Sequence, residues 1–401
     1  MVTTSTHYLH DRNRAAPGLG YDGVVRVSSG GYYGTGVLLY DGRAVLTAAH
    51  LFGYGGTSAT ISFTTAAGET SLTGSQLAVH PEYDPVNGNN DLALVWVSGS
   101  APVAAERYTL HRDSEEAGRT MTMVGFGIPG TGDSGVDAGY SGDILRLKAE
   151  NTFDADVAAL TAQLGSSLGW SPLAGSQLLA DFDNGTLTND VLGRLLGLQH
   201  SGLGLDEGLI SSGDSGGPAF IEGKIAGVAS YTASLQRDGI DPDIDTVGNS
   251  SYGEIAAWQR VSHYQQWIDQ SLRARAVNAP TTPAEVEKQV VEGSSEATTI
   301  AYFLLQFTGV RSIPTDILSV DYTTRNGTAV AGEDYLPASG TLKLYPGESQ
   351  ATILVEIIGD ATPEVDETFY LDVFNPVGGS FGEDVVQLTA VRTIVNDDGV
   401  S

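Results

Sequence analysis

The segment GDSGGP, residues 213–218, sets one hydroxyl, Ser215, behind an acid and among glycines. A serine hydroxyl is a weak nucleophile by itself. It needs a base to take its proton, a carboxylate to hold that base, and backbone N–H groups facing the oxyanion that develops. Gly213 lets the chain turn its own N–H and that of Ser215 toward one point, and Gly216 and Gly217 let it leave without crowding a substrate. The pattern suits acyl transfer. Seven histidines could supply the base. His50 closes AVLTAAH (44–50), where small residues leave room for an imidazole. Carboxylates are many, but Asp91 opens the apolar run NDLALVWV (90–97), and a partly buried acid is costly unless paired.

Strands must position these groups. Short apolar runs alternate with Gly-rich turns: VVRV (24–27), TGVLLY (35–40), ATISF (59–63), LALVWV (92–97) and TMTMVGFG (120–127). They predict an antiparallel barrel or sandwich. Residues 154–166 predict a helix with Asp154 as N-cap, and 256–276 predict a closing helix. The stretch 168–205 has too little periodicity to assign.

LTAAH (46–50), NDLALV (90–95) and GDSGGP (213–218), in that order, resemble the three signature segments of the trypsin/chymotrypsin family of serine proteases. GTGVLL (34–39), GFG (125–127), AGVASY (226–231) and WQRVSHYQQWI (258–268) extend the resemblance across about residues 20–272. The resemblance implies a mainly all-β fold, a double six-stranded β-barrel with a C-terminal helix, and endopeptidase activity on a protein or peptide. It implies Ser215 as nucleophile, His50 as general base and then acid, Asp91 as orienting carboxylate, and the N–H groups of Gly213 and Ser215 as oxyanion hole. It also implies a specificity pocket with Leu209 at its base and Thr232 and Ala256 on opposite walls. Ser230 and Tyr231 would offer backbone to an extended peptide. Leu209 cannot pair with a cation, so cleavage is expected after small or medium apolar residues.

The chain departs from the family in two ways. It has no cysteine, so no disulfide, thiol nucleophile or Cys-ligated zinc is available. Where an IVGG-type start would stand, it reads HDRNRAAPG (10–18). Cleavage after Arg14 would free Ala15 to pair with Asp214; alternatively Asp214 pairs with an internal group. The expectation is activity without N-terminal processing.

Net charge is -29, with 20 Lys+Arg and a pI near 4.3, which argues against a nucleic-acid partner. No apolar run approaches the roughly 20 residues that span a membrane. The N-terminal segment has no apolar stretch of the secretory type, so the protein stays inside, leaves by another route or has lost a leader; the expectation is a secreted, bacterial protein.

The expected organisation is an N-terminal extension (1–20), a protease-like domain (21–276), a linker (277–285) and a β domain (286–401). TIAYFLLQF (299–307), LSVDYTT (318–324), ATILVEII (351–358) and TFYLDVFNP (368–376) predict one β-sandwich. Its acids gather at strand ends, in GEDY (332–335), GDATPEVDETF (359–369) and NDD (396–398). Such clusters suit a solvated surface or a Ca²⁺ ion, which takes many oxygen ligands in flexible geometry. These segments resemble a Calx-beta domain, an immunoglobulin-like calcium-binding sandwich. The resemblance implies Ca²⁺ held by Glu292, Asp334, Asp360, Glu364, Glu367, Asp397 and Asp398, with Asp366 pointing away. The module would stabilise the enzyme or tether it to a cell surface or matrix. The competing reading is an adhesion protein whose protease-like domain binds peptides without cutting.

Overall fold

Runs with period-2 or continuous apolar character become strands, and the chain is 40% strand and 11% helix. The computed structural model describes residues 2–53, 55–198, 202–237, 241–276, 278–295 and 297–398. It divides into two compact units. One comprises Met1–Leu39, Arg43–Ser98 and Ala104–Gln265; the other Tyr40–Gly42, Gly99–Val103 and Gln266–Ser401. Residue 277, at the start of the expected linker, lies outside the described residues.

In the first unit a closed barrel runs Val24–Ser29, Tyr32–Leu38, Ala44–Thr47, Ala93–Val97, Gly68–Val79, Ala59–Thr65 and back. Ala44–Thr47 and Ala93–Val97 are buried along their whole length, as their apolar runs predict, with the one polar side chain, Thr47, bonded to Thr35 O at 2.6 Å. Their register pairs Thr47 with Ala93, so the residues just past Thr47 meet those just before Ala93. This brings the neighbourhoods of His50 and Asp91 together.

The second half is a seven-stranded antiparallel sheet. Its order is Leu147–Thr152, Thr120–Gly125, Pro218–Ile221, Lys224–Ser234, Glu254–Arg260, Gln177–Asp181 and Ala155–Asp156. A bulge between Ala229 and Tyr231 breaks the register with Glu254–Arg260. Two helix predictions need correction. Asp154 precedes the edge strand Ala155–Asp156, so the helix is Val157–Leu164 and Asp156, not Asp154, caps it through Ala159 N–H at 3.0 Å. The run from 256 begins as strand Glu254–Arg260, because Ala256, Ala257 and Trp258 are buried on both faces; the helix is Val261–Ala274. The unassigned stretch holds strand Gln177–Asp181 and helix Val191–Leu196.

The expected N-terminal extension is instead built into this unit. Val2 lies in one apolar core with Met121, Leu209 and Trp258. Thr3–Thr4 pairs antiparallel with Gly208–Leu209 and parallel with Gly130–Thr131. Ala15 is 2% exposed and is held from both sides by Arg146, donating its N–H to Arg146 O (3.1 Å) and accepting from Arg146 Nε (3.1 Å). In the intact chain Ala15 is thus engaged with Arg146.

The second unit is a sandwich. A five-stranded sheet runs Gln289–Val291, Gln387–Val395, Glu367–Val377, Leu318–Asn326 and Ser339–Leu344; Thr298–Gln306 pairs with Gln350–Ile358 as the other layer. Alternate residues turn inward to one core, where Tyr335 stacks on Phe369 with ring centroids 4.7 Å apart. No helix among the described residues is long and apolar enough to cross a membrane.

Candidate active site

His50 sits in the short 3-10 turn Ala49–Phe52, directly after strand Ala44–Thr47. Ala48 and Ala49 are buried, and their small side chains let the turn pack tightly. Asp91 follows Asn90, whose φ of 54° turns the chain into strand Ala93–Val97. The two residues meet twice. His50 N–H donates to Asp91 Oδ1 at 2.8 Å, and His50 Nδ1–H donates to Asp91 Oδ2 at 2.7 Å. Asp91 is 2% exposed, and these bonds offset the cost of burying it. With Nδ1 committed to a carboxylate, the lone pair of neutral His50 is left on Nε2. Burial alone would lower the imidazole pKa, but the hydrogen bond and charge of Asp91 outweigh it and hold His50 above its ordinary value.

A third donor reaches Asp91. Ser230 Oγ–H donates to Asp91 Oδ2 at 2.6 Å, and Gln259, itself fully buried, donates from Nε2 to Ser230 Oγ (3.3 Å) and to Gly88 O (2.7 Å). Sequence reasoning assigned Ser230 a backbone role toward substrate and missed Gln259 altogether. Nothing local to either residue points at Asp91.

Ser215 is carried on a loop clamped from several sides. Thr35 N–H donates to Ser215 O (2.8 Å), Thr35 Oγ1 to Gly213 O (2.9 Å), and Gly216 N–H to Ala229 O (2.8 Å). Gly213 and Gly216 have φ of 97° and 83°, which L side chains rarely adopt. A Cβ on Gly216 would stand 2.1 Å from Thr47 Oγ1 and 2.7 Å from Ala48 N, so this loop lies against the backbone two residues ahead of His50. Asp214, 1% exposed, accepts from Gly127 N–H (2.8 Å) and from Ser211 N–H (2.8 Å) and Oγ (3.2 Å). These donors reach Asp214 from within the first unit, and burial pushes its carboxyl above the usual range.

Among the described residues, the amides of Asp214, Gly216 and Gly217 donate to protein carbonyls, while those of Gly213 and Ser215 have no protein acceptor. These are the two amides named from sequence as oxyanion donors. The structure joins His50 to Asp91 directly and brings the Ser215 loop alongside. No hydrogen bond links the Ser215 hydroxyl to the His50 ring; in sites of this kind that bond often tightens only when substrate is bound.

The expected specificity pocket is corrected. Leu209 and Ala256 are fully buried in the core and present no surface to a ligand. Thr232 and Ala256 are register partners on adjacent strands, not facing walls. Position counting from the nucleophile cannot detect the bulge at Ser230, which shifts the strand by one residue. The feature beside it is aromatic. Tyr231 OH donates to Gln177 Oε1 (2.7 Å) and accepts from Trp170 Nε1 (3.1 Å), and burial pushes the phenol up to about 12.

In the second unit, Asp334, Glu364 and Glu367 each offer a carboxylate oxygen within 4.8 Å of the others. Burial and the adjacent Asp334 push Glu367 up to about 7. Glu292, 5% exposed, is raised by burial and by the charges of Asp360, Glu364 and Asp398. Asp397 Oδ1 accepts from Gly293 N–H (3.0 Å), next to Glu292. Asp360 Oδ1 accepts from Thr362 N–H and Asp398 N–H donates to Asn396 Oδ1, so both are tied into their own loops. Asp366 Oδ1 accepts from Asn396 N–H (3.3 Å).

Residues 11–148 match the trypsin family model and residues 284–398 the Calx-beta domain model, in that order. His50 and Asp91 fall inside the first match; Ser215 lies beyond it. The chain is similar to sodium/calcium exchanger Calx of Drosophila melanogaster, 39% identical over 80 residues (20% of this chain, 8% of that protein). It is similar to human sodium/calcium exchanger 2, 39% identical over 92 residues (20% and 10%). It is also similar to adhesion G-protein coupled receptor V1 of Danio rerio, 33% identical over 114 residues (27% and 2%). The matched stretches span 10% or less of the length of these relatives.

Proposed function

We propose that this chain, a trypsin domain followed by a Calx-beta domain, is a serine endopeptidase with an attached calcium-binding module. The observation that carries the reading is the two-point bond between His50 and Asp91, at 2.8 and 2.7 Å, beside a GDSGGP loop whose Gly213 and Ser215 amides are unclaimed. Ser215 Oγ attacks the scissile carbonyl carbon while His50 Nε2 takes its proton. Asp91 keeps the imidazole in the Nδ1–H tautomer and stabilises the imidazolium. The Gly213 and Ser215 N–H groups bind the oxyanion. His50 then protonates the leaving amine, and water, deprotonated by the same imidazole, hydrolyses the acyl-enzyme. Cleavage after small or medium apolar residues is the specificity to test, with Ala and Leu peptide substrates set against an Arg one.

Asp334, Glu364 and Glu367 suit a hard cation: three gathered carboxylates of which one is pushed up to about 7. With Glu292, Asp360, Asp397 and Asp398 they would hold Ca²⁺, which neutralises the cluster and ties the strand-end loops together. We place the protein outside the cell, where calcium at about the millimolar level suits such a module, and where the sandwich could tether it to a surface or matrix. Cell fractionation tests this placement.

A fluorophosphonate probe tests the enzyme. Labelling that disappears in Ser215→Ala supports the endopeptidase; a folded, unlabelled wild-type chain refutes it. The second reading, peptide binding without cleavage, is favoured by HDRNRAAPG (10–18) standing where an IVGG-type activation sequence would, and the same experiment decides between them.

A further inference from the structure

Strand Gln177–Asp181 ends in a tight group of acids. Asp181, Asp183 and Asp190 are 1%, 1% and 2% exposed. Each offers a carboxylate oxygen within 4.8 Å of the others. Backbone donors reach each of them: Leu192 N–H to Asp181 Oδ2 (2.7 Å), Gly185 N–H to Asp183 Oδ1 (2.8 Å) and Gly193 N–H to Asp190 Oδ1 (2.7 Å). These bonds account for the loop and for the start of helix Val191–Leu196. They do not account for Asp181 Oδ1, which is shut off from water and has no hydrogen-bond partner. Burial, together with the charges of Asp154, Asp183 and Asp190, lifts the Asp181 carboxyl well above its ordinary range. A buried carboxylate oxygen with no donor, set among like charges, is a costly arrangement unless a cation completes it.

We propose that Asp181, Asp183 and Asp190 form a divalent-cation site in the first unit, separate from the acidic loops of the sandwich, and that its ion is Ca²⁺. The donors are all hard oxygens, which excludes a preference for zinc or other softer metals. Mg²⁺ keeps several of its waters, and carboxylates this deeply buried leave little place for them; Ca²⁺ accepts carboxylate and carbonyl oxygens in irregular geometry. The ion would clip the loop 181–190 to the end of strand Gln177–Asp181, which pairs with Glu254–Arg260, the strand carrying Gln259. The inference does not depend on the peptidase reading.

The test uses the full chain with Asp334→Asn, Glu364→Gln and Glu367→Gln, which silence the other cluster. Calcium at about 1 mM is offered in equilibrium dialysis, and bound ion is counted by native mass spectrometry. One equivalent of calcium should remain bound, and calcium should raise the melting temperature. Adding Asp181→Asn or Asp190→Asn should abolish both effects, and Asp181→Asn should raise the melting temperature in chelator by relieving repulsion. If the altered chains do not fold, limited proteolysis of the unaltered chain decides: calcium that slows cleavage within 181–190 supports the site. The proposal is overturned if the folded chain retains no calcium, if both Asp substitutions leave retention unchanged, if calcium does not alter cleavage within 181–190, or if magnesium is retained equally well.

Discussion

Ser230 Oγ lies 2.6 Å from Asp91 Oδ2, the same oxygen that holds His50 Nδ1 at 2.7 Å. One buried carboxylate oxygen is thus shared by two donors from different halves of the first unit. A serine placed in this way limits how far Asp91, and through it the imidazole, can turn.

Ser230→Ala should therefore lower kcat/KM. A hydrogen bond to a charged group contributes about 1.5–3 kcal/mol, which corresponds to a loss of about ten- to a hundredfold. The loss should fall in kcat with KM nearly unchanged, because the hydroxyl that is removed meets Asp91 and the Ser230 backbone is left in place. Steady-state kinetics on an Ala or Leu peptide substrate reads the split, and an unchanged kcat would refute the buttress.

The pH profile follows from His50. Its neutral form is the base, so activity should fall as pH drops through its pKa. Asp91 holds that pKa above 6.5, so the acidic limb of kcat/KM should have its midpoint above 6.5. Asp91→Asn removes the charge that raises it and leaves burial, which lowers it; the residual activity should show a limb moved to lower pH. A limb that stays in place would separate it from His50.

Gly216→Ala should abolish labelling at Ser215 or unfold the first unit. A φ of 83° costs a non-glycine residue about 1–3 kcal/mol, and the new Cβ would stand 2.3 Å from Thr35 O and 2.1 Å from Thr47 Oγ1. Thermal melting and probe labelling, measured together, distinguish lost stability from a displaced nucleophile.

Arg146 and Asp22 form a buried ion pair, 3% and 2% exposed at their side chains. Arg146 also donates to Ala15 O, Val24 O and Thr64 O, at 3.1, 3.3 and 3.0 Å. Removing one partner leaves the other charge buried, at a cost of about 3–5 kcal/mol. Arg146→Met should lower the unfolding free energy, read from denaturant titration, by that amount, whereas replacing both residues with apolar ones of similar size should cost much less.

Glu367 gives the sandwich a pH signature. Its pKa rises from 4.5 to about 7 on folding, so the folded state binds the proton more tightly. Its stabilising contribution is complete below about pH 4.5 and is lost as pH rises through about 7. In chelator, the melting temperature of this unit should fall between pH 5 and pH 8. Calcium should reverse the fall, and Glu367→Gln should flatten it. A pH-independent melt in chelator would count against the coupled cluster.

Much of the barrel was legible because its signals are local. VVRV, ATISF and LALVWV have strand periodicity and end at Gly-rich turns, and each lies within or overlaps a strand. Gly213 and Gly216 were legible as turn residues because their need for positive φ is a property of one residue. The helix bounds near 154 and 256 were misjudged because alanine-rich apolar sequence suits a helix or a doubly buried strand equally well. Leu209 was misplaced because counting residues back from Ser215 says nothing about what packs on top of them.

The sequence by itself determined the strand pattern, the order of His50, Asp91 and Ser215, and the acidic turns of the sandwich, since these follow from side-chain period, backbone freedom and charge along the chain. Only the tertiary structure decided that the Ser230 hydroxyl faces Asp91, 139 positions away, and that Asp181, Asp183 and Asp190 converge in the interior. Those encounters depend on sheet register and core packing, where a single bulged residue turns a side chain from one face to the other.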